Sequence, residues 1–194
     1  YEALLNAPRR ETEAADFAIL LVADQGNPNE NPPRPVWGVA YTQRNNCALD
    51  GLCDVGDGVY PVPNFSYRAY AFGVVSVNPQ AQNLTFAHEV GHMLGSNHDG
   101  NVQFPQVGLR GAFTFSYGYR IPTIARDIMA DPRCIDTNGD TIADQCTERQ
   151  AQFANPRTQF IGTVMSSGTP VQNDVVRTIT CLAEPSGNLY PIGE

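Results

Sequence analysis

Every histidine in the chain lies in one twelve-residue segment, HEVGHMLGSNHD, from His88 to Asp99. On an α-helix, His88 and His92 fall on one face about 6 Å apart along the axis, so their two imidazoles can aim at a single ion. Glu89 points to the neighbouring side, where a carboxylate reaches a water on the metal rather than the metal itself. Gly95 tolerates positive φ, which lets the chain reverse and bring His98 back as a third ligand. Three neutral nitrogen ligands with a fourth position left open describe a catalytic zinc centre, whereas structural zinc is closed by four protein ligands. Zinc lowers the pKa of such a water towards about 7 and polarises a carbonyl, and Glu89 is expected to act as general base and to return the proton to a leaving amine. With this His and Glu content, an HExxH string arises by chance only about two times in a thousand, before Gly95 and His98 are demanded.

The elements that must carry this segment can be read around it. From about residue 80 to 94, apolar side chains at Leu84, Ala87, Val90, Met93 and Leu94 recur at helical spacing, and Gly95 stops the helix. Upstream, apolar runs predict strands at about 17–23, 36–42 and 69–77, with a short helix at 9–15 and a long Gly-, Pro-, Asn- and Asp-rich loop at 43–65. Downstream, 100–170 reads as irregular, and QNDVVRTITCLAE, about 172–184, as a final helix. There are no internal repeats.

Composition limits the setting. The chain has 194 residues, enough for one sizeable core, so a single domain over 1–194 is expected. Twenty acidic against twelve basic side chains give a formal charge of -8, which argues against a nucleic-acid partner. Apolar runs stay at strand length, so no membrane span is expected. Of five cysteines, Cys47 with Cys53 and Cys134 with Cys146 bracket short loops and read as local disulfides suited to an oxidising, secreted setting. Neither pair has the CxxC spacing of a thiolate metal site. Cys181 is left over, as a free buried thiol or one with a partner outside the chain.

The segment from His88 to His98 matches HExxHxxGxxH at every defined position and so resembles the metzincin metallopeptidases; Asp99 after the third His is similar to the reprolysin or adamalysin branch. DIMADP around Met129 is similar to the family's methionine turn, which implies that Met129 is a floor beneath the metal. The residue two after that Met is Asp131, where astacins and serralysins carry a Tyr, so no tyrosine switch is expected. SYGYR at 116–120, ANPR at 154–157 and NDVVRTI at 173–179 resemble bacterial reprolysin-like enzymes, including peptidyl-Asp metallopeptidases. The resemblance implies an α+β fold in which a mixed twisted sheet and the zinc-site helix (1–95) stand above an irregular lower subdomain (96–194) ending in a helix. Because only 87 residues precede His88, the sheet is expected to be incomplete at its start.

DTNGDTIAD between Cys134 and Cys146 resembles the calcium loops of dockerins and thrombospondin type 3 repeats, with Asp136, Asn138, Asp140, the Ile142 carbonyl and Asp144 at the ligand positions. Position twelve is Thr147 instead of an acidic ligand, with Glu148 next to it. Sequons at Asn64 and Asn83 read as accidental. The expected activity is that of a zinc-dependent endopeptidase acting on protein or peptide substrates as a monomer, with Gly95, Asp99 and Met129 supporting the site. The rivals are a non-catalytic, calcium-stabilised interaction module on the same scaffold and a zinc hydrolase acting on small amides.

Overall fold

Val, Leu and Ile dominate the run at 17–23, and such a run stabilises a strand when both its faces are covered. In the computed structural model, which describes residues 15–23, 38–43, 70–77, 84–99, 111–131, 134–135 and 145–186, this run forms β1, Ala18–Val22. Strand β2 is Gly38–Ala40 and β3 is Phe72–Ser76. The sheet order is β1-β3-β2, with β3 in the middle, parallel to β1 (Leu20 opposite Val74) and antiparallel to β2 (Val39 opposite Val74). The helix α1, Thr85–Met93, packs on β2 and β3 and buries His88, Glu89, Gly91, His92 and Met93. It starts later than the expected 80, because Leu84 sits at φ 65°, in the left-handed region that a helix cannot include.

The helix ends as a Schellman turn. Gly95 N–H donates to His92 O (2.8 Å), Ser96 N–H donates to Gly91 O (2.9 Å), and Gly95 takes φ 85°. The chain then runs back beside 111–118, where Asn97 N–H donates to Ser116 O, Gly118 N–H donates to Asn97 O, and Ala112 N–H donates to Gly95 O. A Cβ on Gly95 would press on Leu182 and lie 2.8 Å from the Ala112 Cβ. Glycine is therefore required there both for its φ and for the approach of the lower segment.

The region after residue 100 is less irregular than its sequence suggests. Strands β4 (Arg120–Ile121), β5 (Ala125–Arg126) and β8 (Glu148–Arg149) form one small sheet, and β6 (Cys134–Ile135) pairs antiparallel with β7 (Gln145–Cys146). Two-residue strands carry no periodicity, so pattern reading cannot find them. The final helix, α2, Val175–Ser186, agrees with the expected one within a few residues. Its cap is Asp174, whose Oδ1 accepts from Arg177 N–H at 3.0 Å while Arg157 grips both carboxylate oxygens at 3.0 Å.

Two apolar clusters join these parts. Leu84, just before α1, and Ala87 within it pack with Ile128, Met129, Ala154, Val175 and Ile179, and Ala112, Phe113, Phe115 and Leu182 form the other cluster with Cys181 against it. Cys146 and Cys181 are each disulfide-bonded. Cys181 is therefore not the odd cysteine, which corrects the sequence reading. With five cysteines in the chain, a bonded Cys181 leaves room for only one of the two local pairs, Cys47–Cys53 and Cys134–Cys146. The cause is tertiary, since α2 carries Cys181 into a cluster that sequence separation conceals. Apart from Ala15, Gln43, Leu84 and Thr85 at their margins, the short helix at 9–15, the loop at 43–65 with Cys47 and Cys53, both sequons, and the loop residues Asp136, Asn138, Asp140, Ile142 and Asp144 lie outside the described residues.

Asp127 ties the lower segments together. It is fully buried, and its Oδ1 accepts from Tyr119 N–H (3.1 Å) and Ala130 N–H (2.8 Å), while Oδ2 accepts from Ala154 N–H (2.7 Å). Burial lifts its carboxyl to about 7, against the pull of those three donors. Since this folded value lies above the ordinary 3.8, its stabilising contribution is complete below about pH 4 and is lost as pH rises through about 7. Asp127→Asn turns one acceptor into a donor facing an N–H group, so urea unfolding at pH 5 should show a loss of about 1–3 kcal/mol. The variant should also lack the wild type's decline between pH 5 and 7; unchanged stability and an unchanged pH profile would show that Asp127 does not staple this region.

Candidate metal centre

One turn of α1 separates His88 from His92, and the Schellman turn carries His98 back over them. The three rings form a near-regular triangle, with centroids 4.7, 4.9 and 4.8 Å apart. His98 Nε2 lies 3.0 Å from His88 Nε2 and 3.0 Å from His92 Nε2. Tetrahedral coordination at zinc–nitrogen lengths of about 2.0–2.1 Å places nitrogens about 3.3–3.4 Å apart, so the spacing suits one small cation. Among the described residues, this is the one cluster of His, Cys, Asp or Glu able to hold a metal ion.

The opposite ring nitrogens explain why the three Nε2 atoms face one another. His88 Nδ1 lies 2.8 Å from Ile128 O and His92 Nδ1 2.8 Å from Ser96 O. A carbonyl oxygen only accepts, so each Nδ1 carries the proton and each Nε2 presents its lone pair. Burial, followed by the charge of neighbouring histidines, lowers His88 to about 3 and His92 to about 4, so both are neutral at physiological pH. His98, about one-third exposed, instead has its Nδ1 3.1 Å from Asp131 Oδ1. Lone pairs held together in this way repel one another, and a divalent cation removes that repulsion.

Glu89 is buried beside the triad, and its Oε2 has no hydrogen-bond partner. Burial raises its carboxyl to about 7, with His98 and then Arg149 pulling the other way. An orphaned, buried carboxylate oxygen next to three converging imidazoles fits a site built to receive a metal and a water. The sheet makes room for it at a glycine. A Cβ on Gly38 would lie 2.7 Å from Glu89 Cγ and 2.8 Å from Cδ.

Met129 is fully buried, and a Cβ on Gly91 would collide with its sulfur, so the thioether presses on α1 at the residue between the two helical histidines. The turn containing Met129 also supplies the Ile128 carbonyl to His88 and Asp131 to His98. Asp99 Oδ1 accepts from Asp131 N–H at 3.0 Å, while Arg120 Nε donates to Asp99 Oδ2 at 2.9 Å and Nη1 donates to Asp131 O at 3.2 Å. Among the residues singled out in the sequence, His88, Glu89, His92, Gly95, His98, Asp99 and Met129 are thus brought together. Sequence reading missed Gly38, Arg120 and Asp127 and assigned Asp131 no role. Clustering of Asp127 and Asp131 around Met129 was a usable signal, whereas a glycine in a strand carries none.

Residues 9–169 match the family described as metallo-peptidase family M12B, reprolysin-like. No curated protein matches the chain. Among solved structures, a chain described as "Structure of a chaperone-substrate complex" is similar, with 15% sequence identity and a TM-score of 0.55 over 94% of this chain and 22% of that one. The present chain thus spans about a fifth of that chain's length, and at this identity the likeness concerns the fold alone. The fold is α+β, with mixed short strands and two helices among the described residues. With a triad of imidazoles able to hold a metal and a family match over most of its length, the chain belongs to the reprolysin-like M12B metallopeptidases.

Proposed function

We propose that this metallopeptidase is a zinc-dependent endopeptidase in which His88, His92 and His98 hold the ion and Glu89 is the general base. The observation that carries this reading is the convergence of Nε2 lone pairs at 3.0 Å while each Nδ1 is engaged by an oxygen. When bound, the ion supplies Lewis acidity, polarising a peptide carbonyl and making a water acidic. Glu89 receives the proton on its carboxylate and returns it to the departing amine nitrogen, for which a desolvated carboxyl near 7 suits both directions. Gly38 leaves the space in which that carboxylate sits against the sheet, and Met129 packs beneath the helical ligands.

The same reading extends to the surroundings. Protein or peptide substrates follow from the family, and no helix among the described residues is long and apolar enough to cross a membrane. We take the protein to be a secreted monomer with no nucleic-acid partner, in which calcium bound by Asp136, Asn138, Asp140, Ile142 and Asp144 rigidifies the loop between Cys134 and Cys146. Cys134 and Cys146 stand opposite each other in the register of β6 and β7, which supports their pairing.

Chelation should abolish hydrolysis of a quenched peptide and zinc should restore it. Glu89→Gln should retain zinc by elemental analysis while kcat/KM falls about 10²–10⁴-fold; full activity in this variant would overturn the assignment. A cation near Glu89 can only lower its pKa. Activity should therefore rise with pH through an apparent value no higher than about 7 in a pH–rate profile. Gly38→Ala should push the Glu89 carboxylate aside and lower kcat/KM by about tenfold or more at unchanged zinc content, and wild-type kinetics would show that this close approach is irrelevant.

A further inference from the structure

The three imidazoles are not held alike. His88 and His92 stand on a helix, are buried, and give their Nδ1 protons to main-chain carbonyls at 2.8 Å. His98 stands beyond the helix, about one-third exposed, and its Nδ1 faces the Asp131 carboxylate at 3.1 Å. A half-solvated ring on a connecting segment has rotamer and tautomer freedom that the other two lack, so its readiness as a ligand depends on the group holding Nδ1.

That group is itself clamped at its backbone. Asp131 N–H donates to Asp99 Oδ1 at 3.0 Å, and Asp131 O accepts from Arg120 Nη1 at 3.2 Å. Arg120 closes the ring by donating from Nε to Asp99 Oδ2 at 2.9 Å. On the other side, His98 N–H donates to Asn97 Oδ1 at 2.7 Å. With both backbones fixed, the Asp131 side chain spans the distance between the methionine turn and the third histidine.

We infer that Asp131 is a positioning residue for His98, holding its Nδ1 proton so that Nε2 faces the metal position and using its charge to make the ring a stronger donor. This inference rests on the metal-centre reading above. A carboxylate behind a metal-bound histidine raises ligand basicity as well as fixing the tautomer, and removing such a partner costs about 10–100-fold in metal affinity. A carbonyl can orient a ring but brings no net charge. The third ligand, the one least restrained by packing, is thus the one with an anionic partner.

The test uses the intact chain stripped of metal, with zinc affinity measured by competition with a chromophoric chelator. Asp131→Asn keeps an acceptor of the same shape and removes the charge, and it should weaken zinc binding about tenfold; Asp131→Ala should weaken it about 10–100-fold. Cobalt(II) loaded into each variant should show an altered visible absorption spectrum, and the metal-free proteins should unfold at nearly the wild-type temperature. Zinc affinities within twofold of wild type in both variants would overturn the inference. So would a lowered unfolding temperature with unchanged affinity and cobalt spectrum, which would mean that Asp131 only holds the turn together. Failure of the wild type itself to bind zinc is a separate result that would remove the metal-centre reading and this inference with it.

Discussion

Three imidazole lone pairs that converge on one point, with His98 Nε2 3.0 Å from the Nε2 of each of the other two, repel one another, and the surrounding structure is arranged to keep them there. Each opposite nitrogen meets an oxygen that accepts its proton, from Ile128, Ser96 or Asp131. Burial keeps His88 and His92 neutral, because neither ring can take up a proton without facing its neighbours' charge in a desolvated site. Such a site stores unfavourable contact that a cation relieves, and it needs rigid support from outside the helix.

The support is the methionine turn. Within four residues it contributes the Ile128 carbonyl, the Met129 thioether beneath Gly91, and the Asp131 carboxylate. Asp127 fixes the turn against Tyr119, just before β4, and the segment at Ala154, and Asp99 with Arg120 fixes its far end. Asp127 is fully buried and Asp99 partly buried, and both accept from N–H donors. Displacing the turn would therefore strand polar groups from several segments at once, and its position is set by hydrogen bonding as much as by apolar packing.

Above the helix the constraint is steric. Glu89 lies between α1 and the sheet, and Gly38 on β2 leaves the volume its side chain occupies. A carboxylate in that position is desolvated, which raises its pKa to about 7 and leaves one oxygen free of protein donors. Packing that would destabilise an ordinary core thereby yields a group able to exchange a proton near neutral pH.

The amino-acid sequence alone determined which three histidines converge, the carboxylate beside them and the turn that returns the third histidine, because these depend on spacing within twelve residues and on the conformational freedom of Gly95. It also located the upstream strands and both helices to within a few residues, since their apolar patterns are long enough to show a period. The two-residue strands between 120 and 149 were illegible for want of any period. Disulfide bonding of Cys181, the glycine that accommodates Glu89, and the contacts of Asp127 and Asp131 were decided only by the tertiary structure. They depend on segments far apart in the chain meeting at one point, and no local pattern records which buried carboxylate will find which donor.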